Sequence, residues 1–168
     1  MKNSIRGPGV GISLGQVNSG GGAAPPATYT FWSVQVVEPQ GGVSTICSIG
    51  ELEMRATVGG ADQCMGGTAT ASSVFMPYDA PSAFDNNTLT RWASQPSQPS
   101  RITYQFPAPV SVSQLLIQAP DAGNYASSQM IKSFNLQYST NGTDWTTALS
   151  VTGESTMTAL EQRLYAVV

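Results

Sequence analysis

Residues 82–94, SAFDNNTLTRWAS, gather Asp85, Asn86, Asn87, Thr88 and Thr90 just ahead of Arg91 and Trp92. A hard cation such as Ca2+ takes several oxygen ligands at flexible geometry, drawn from carboxylates, amide carbonyls, hydroxyls and main-chain carbonyls. A tightly curled loop here aims the Asp85 carboxylate, the Thr90 hydroxyl and main-chain carbonyls, that of Asn87 among them, at one point, with Trp92 as the apolar anchor. The alternative for the same residues is a set of Asx turns whose polar side chains satisfy their own backbone, and composition by itself favours it.

Little else in the chain offers chemistry. There is no histidine, which removes the commonest general base and the usual transition-metal ligand together. No Gly-x-Ser-x-Gly elbow, no phosphate-cradling Gly-Lys-Ser/Thr run and no cysteine with an adjacent base is present. Glu51 and Glu53 form the one close acidic pair, but alternate strand residues share a face, whereas glycoside hydrolysis needs two carboxyls across a cleft. The glycines of GPGVG and GGG lack the preceding strand and following helix of a nucleotide site. These absences point to binding, not catalysis. Cys47 and Cys64 fit no zinc or redox spacing; buried thiols are the plainer reading without an export signal, and a disulfide is the alternative.

The formal net charge is -3 and the pI near 4.7, with the basic residues scattered, so nucleic acid is not an expected partner. No apolar run is long enough to cross a membrane as a helix, and MKNSIRGPGVGISLGQ lacks the continuous apolar region of a secretory signal.

The elements that must position the oxygen-rich loop are β-strands. Only 10% of residues are charged while Gly, Pro, Ser and Thr abound, which is the composition of a turn-rich, all-β chain. TYTFWSVQVVE and GELEMRATV alternate apolar and polar residues and are expected to share a sheet. SRITYQF, VSQLLIQA, SFNLQYS and EQRLYAVV read as later strands, separated by turns at PAP, PDAG, TNGTDW and TGE. With 168 residues there is room for one domain and an appendage. Residues 28–168 form the domain, and residues 1–27, with seven glycines in the first twenty-two positions, form a Gly/Pro-rich arm. The arm is either a linker or an extended segment that adds a strand to a neighbour's sheet.

AFDNNTLTRWAS, followed by RITYQF, VSVSQLLIQA and KSFNLQYSTNGTDW, resembles the discoidin-like domains, also called coagulation-factor type C domains, and the related galactose-binding-like carbohydrate-binding modules. The resemblance implies a jelly-roll β-sandwich. The order of parts differs, because YTFWSVQVV and ICSIGELEMRA precede the Asp85 loop, so the chain resembles a circular permutation with its opening strands beside its last one. On that reading Glu51 takes the place of a family glutamate that reaches the calcium of the Asp loop, and Glu51, Asp85, Asn87 and Thr90 form one structural Ca2+ site. Asn86 stands where the family has glycine, which asks whether the position needs a positive φ. Ser33 stands where an arginine is common, which puts one strand-anchoring contact in question. Trp92 and Trp145 read as packing residues. In the carbohydrate-binding modules, loops at one end of the sandwich hold the sugar; Tyr78, Asp79, Asn124 and Tyr125 occupy such loops here, and Arg91 at the rim suits sugar hydroxyls.

Read as complete from Met1 and without an export signal, the chain is expected to leave the cell as part of a particle. ELEMRATVGGADQC ahead of GGTATASS resembles segments of tailed-bacteriophage structural proteins. The expected function is that of a non-enzymatic virion protein, homo-oligomeric for avidity, held to other virion proteins by residues 1–27 and binding a host-surface glycan. The alternative is an architectural capsid or tail subunit that makes protein contacts only.

Overall fold

The computed structural model describes residues 28–123 and 126–168. The arm at residues 1–27, with its expected anchoring role, lies outside the described residues. Ten strands follow one another among the described residues: Tyr29–Pro39 (β1), Ser48–Ile49 (β2), Glu51–Arg55 (β3), Thr68–Ala71 (β4), Trp92–Ala93 (β5), Ser100–Val110 (β6), Gln114–Gln118 (β7), Ile131–Ser139 (β8), Thr146–Val151 (β9) and Gln162–Ala166 (β10). Single 3-10 turns lie at Ala80–Ala83 and Ser127–Gln129. All pairings are antiparallel, in a five-stranded sheet of order β4-β6-β1-β8-β9, a three-stranded sheet β10-β7-β3 and the short pair β2-β5.

The alternating pattern of the sequence sets the inner faces. Trp32, Val34 and Val36 of β1, Ile102, Tyr104 and Phe106 of β6, and Phe134, Leu136 and Tyr138 of β8 meet Leu52 and Met54 of β3, Leu115 and Ile117 of β7, and Tyr165 of β10 in one core. Burying such side chains contributes about 1.5–3 kcal/mol each relative to exposure. Two packed antiparallel sheets around one core make a β-sandwich.

Four details differ from the expectations. β1 and β3 lie in different sheets, because alternation specifies a face and not a partner: β1 is central in the five-stranded sheet, and β3 pairs with β7. The first strand does not lie beside the last; β3 and β10 flank β7 from opposite sides. Strand β3 stops at Arg55 although the alternation runs on, because Asp62 turns the chain back, its Oδ1 accepting from the Met54 and Cys64 amides at 3.0 Å each. Finally, Pro107-Ala108-Pro109 is not a turn but part of β6. Tyr29 pairs with Val110 while Phe31 pairs with Gln105, so the extra β6 residues bulge out where the missing proline N–H groups cost no ladder bonds. Cys47 and Cys64 are both free and buried, and burial pushes both thiols well above their ordinary range.

Candidate functional site

The Asp85 loop hangs between two apolar anchors. Before it, Ala80, Ala83 and Phe84 are buried, and the Phe84 ring lies 4.9 Å from that of Tyr104. After it, Trp92 is fully buried and its indole N–H donates to the Ser73 carbonyl at 3.1 Å. With both ends fixed, the polar residues between them curl outward. Asn86 takes a φ of +56°, so the position does require the left-handed region, and Asn occupies it more readily than most residues other than Gly.

Glu51 opens β3, and its approach depends on Gly50: a Cβ on that residue would stand 2.9 Å from the Ala119 carbonyl oxygen. The close strand contact carries Glu51, only 5% exposed, to the Asp85 loop. The Asn87 amide donates to Glu51 Oε1 at 2.8 Å and to Asp85 Oδ1 at 2.9 Å. Thr90 Oγ1 lies 2.9 and 3.0 Å from the two Asp85 oxygens and 2.7 Å from the Asn87 carbonyl. The four residues Glu51, Asp85, Asn87 and Thr90 are thus brought together. Asx geometry is built in the same place, since Asp85 Oδ1 accepts from the amide two residues on and Asn87 Oδ1 accepts from the Leu89 amide at 3.1 Å.

The two arrangements differ in what they leave over. A hydroxyl has one proton to donate, yet Thr90 Oγ1 faces three acceptor oxygens. Burial, followed by the neighbouring Asp85 carboxyl, pushes Glu51 up to about 7, while the Asn87 and Asn86 amides pull in the opposite direction. Lone pairs exceed donors, and two carboxyls sit together. That donor set, oxygen only and partly anionic, fits a hard cation of the Ca2+ type. Among the described residues no three Asp, Glu, Cys or His side chains converge as a metal cluster, so a cation here would rest on two carboxylates completed by the Asn87 carbonyl and the Thr90 hydroxyl.

The residue after the loop begins a second group. The Arg91 guanidinium carbon lies 4.0 Å over the Tyr78 ring, and Nη1 reaches Ser48 Oγ at 3.2 Å and Gln129 Oε1 at 3.4 Å. Tyr78 and Arg91 are therefore adjacent. Asp79 is exposed and bonded to its own 3-10 turn, accepting from Ser82 Oγ at 2.7 Å. Asn124 and Tyr125 lie outside the described residues. Ser48 and Gln129 join this face without any sequence signal. They lie on β2 and in the Ser127–Gln129 turn, far apart in the chain, so no local motif contains both.

Trp145 departs from the packing expectation: it is half-buried outside the core, with the Arg101 guanidinium 4.2 Å over its ring. Ser33 accepts from Arg101 Nη1 at 3.1 Å, so the guanidinium that meets this position comes from β6.

An antiparallel jelly-roll sandwich with an oxygen-rich loop beside a polar face defines the discoidin-like class, whose domains are typically non-enzymatic modules that bind carbohydrate or protein. A family model for the F5/8 type C domain matches residues 68–166, more than half of the chain. The chain belongs to the F5/8 type C family. No curated protein and no solved structure matches it.

Proposed function

We propose that the chain is a bacteriophage virion protein that binds host-surface carbohydrate through the Tyr78–Arg91 face, with Ca2+ in the Glu51–Asp85–Asn87–Thr90 site fixing the loop that delivers Arg91. The observation that carries this reading is the continuity of the two groups. Thr90 closes the oxygen cluster, and the next residue stacks on Tyr78 and reaches Ser48 and Gln129. Ordering the loop then orders the binding face, which reduces the entropy lost when a sugar docks. Aromatic, guanidinium, hydroxyl and amide groups together are the equipment for sugar hydroxyls and ring faces.

The virion assignment rests on the phage-like ELEMRATVGGADQC and GGTATASS segments, with residues 1–27 as the anchor to other virion proteins and several copies supplying avidity. The circular permutation is supported by β1 and β3, which precede the matched residues 68–166 yet occupy the centre of one sheet and the edge of the other.

The test is a glycan array read with the wild type, Tyr78→Ala, Arg91→Ala and a chain lacking residues 1–27. Binding that disappears with either loop substitution and persists without the arm supports the reading; a signal untouched by both substitutions refutes it. A second reading, a purely architectural subunit, is favoured by Phe75 and Met76, which are 40% and 74% exposed on the same loop as Tyr78. Loss of particle incorporation on arm deletion, together with no glycan signal from the wild type, selects that alternative.

A further inference from the structure

The outer face of the five-stranded sheet is lined by polar side chains in register. One row runs Thr70, Thr103, Ser33, Gln137 and Thr147 across all five strands, and the next holds Arg101, Gln35, Asn135 and Ser150. Neither row contains an acidic residue. Arg55, Lys132 and Arg163 each pair with glutamate. Arg101 instead lies between a hydroxyl, that of Ser33 at 3.1 Å, and the Trp145 indole at 4.2 Å, with no carboxylate partner among the described residues. Burial alone lowers its pKa, as expected for a cation whose lost hydration no anion replaces.

Gln137, in the first row, is packed away from solvent. It is 8% exposed, its Nε2 donates to Thr147 Oγ1 at 3.1 Å, and its Oε1 is buried with no hydrogen bond among the described residues. A buried amide oxygen without a donor is costly. The accessible part of the face is the second row: it offers an unneutralised guanidinium, a half-buried indole and a lattice of the Gln35 and Asn135 amides, with Asn135 Nδ2 donating to Gln35 Oε1 at 3.2 Å and Asn135 Oδ1 accepting from Ser150 Oγ at 2.8 Å.

We propose that this sheet face binds an acidic oligosaccharide of the uronate type, its carboxylate paired with Arg101, a sugar ring against Trp145 and its hydroxyls bonded to the Gln35 and Asn135 amides. The proposal extends the carbohydrate reading above to a second site, separate from the Tyr78–Arg91 face. The charge decides the occupant: a neutral chain leaves Arg101 unpaired, and the lattice suits hydroxyls better than an apolar peptide.

The experiment titrates the full chain with an oligogalacturonate and with its methyl ester, following the Trp145 indole N–H by NMR and affinity by calorimetry. The acid is expected to bind and to move the Trp145 resonance, with the ester weaker by about tenfold or more, the scale of a hydrogen bond between charged groups. Arg101→Gln lowers the acid to the level of the ester. If Arg101→Gln does not fold, Gln35→Glu sets a carboxylate opposite Arg101 and is expected to abolish acid binding, and added salt weakens the acid but not the ester. Equal affinity for acid and ester, shifts confined to the Tyr78–Arg91 face, or no binding of either ligand overturns the proposal. Failure of the first site shows differently, as a glycan-array signal that survives Tyr78→Ala.

Discussion

The Asp85 loop and the outer face of the five-stranded sheet are unbalanced in opposite senses. At the loop two carboxyls, Glu51 and Asp85, share a small volume; on the sheet a guanidinium rests on an indole and a hydroxyl. Glu53, Glu38, Glu154 and Glu161 have cationic partners. The difference lies in how each imbalance is made. Residues distant in the chain create the first through a strained loop, and strand register creates the second on a preformed lattice. A cation that organises the loop should change the protein's stability, while an anion on the sheet should leave the backbone as it is.

The strongest way to break the comparison is to remove the loop's anchor. Trp92→Ala deletes a fully buried ring and is expected to cost about 3–5 kcal/mol, read as a lower denaturation midpoint, and to eliminate any response to Ca2+. An unchanged midpoint contradicts the anchoring role. Next in size is the metal itself. At Ca2+ about a hundredfold above its dissociation constant the wild type gains about 2.7 kcal/mol, and Asp85→Ala gains nothing; thermal melts with Ca2+ or chelator decide it, and a wild type indifferent to Ca2+ ends the metal reading.

Acidity sharpens the same contrast. Glu51 holds its proton up to about 7 when folded, against 4.5 ordinarily. The folded state therefore binds more protons than the unfolded one in that window, and the stability of chelator-treated protein falls as pH rises from 4.5 to 7. Glu51→Gln flattens that dependence, and Ca2+ affinity in the wild type rises over the same range because the metal takes the deprotonated carboxylate. A pH-independent difference between wild type and Glu51→Gln counts against it. Smallest is the backbone term: Asn86→Val costs about 1–2 kcal/mol at a positive φ, whereas Asn86→Gly is tolerated, because glycine takes that conformation without steric cost. Equal stability of the two variants contradicts the left-handed assignment.

Alternation made the inner faces of β1, β6 and β8 legible, because a period of two identifies a buried side without knowledge of partners. Partnership was not legible: nothing local in YTFWSVQVVE says that it sits between β6 and β8. PAP read as a turn because proline breaks ladders, but a bulge places it where no ladder bond is needed. At the site, Asp85, Asn87 and Thr90 were visible as a local cluster, and Glu51 only through a family resemblance, since its approach depends on the close contact at Gly50. Ser48 and Gln129 were invisible, being ordinary polar residues that meet Arg91 only through the fold. Trp145 read as packing because sequence does not distinguish a ring inside a core from one under a guanidinium.

The position of β1 also bears on synthesis. The ribosome delivers this apolar strand well before its partners, since β6 begins only at Ser100 and β8 only at Ile131, so both long edges stay open while the intervening residues are made. Such distant pairings close slowly, and an exposed strand of this kind invites association between nascent chains. Refolding yield should fall steeply with protein concentration, and a chaperone that shields the TFWSVQVV segment until Ser139 has emerged would restore it.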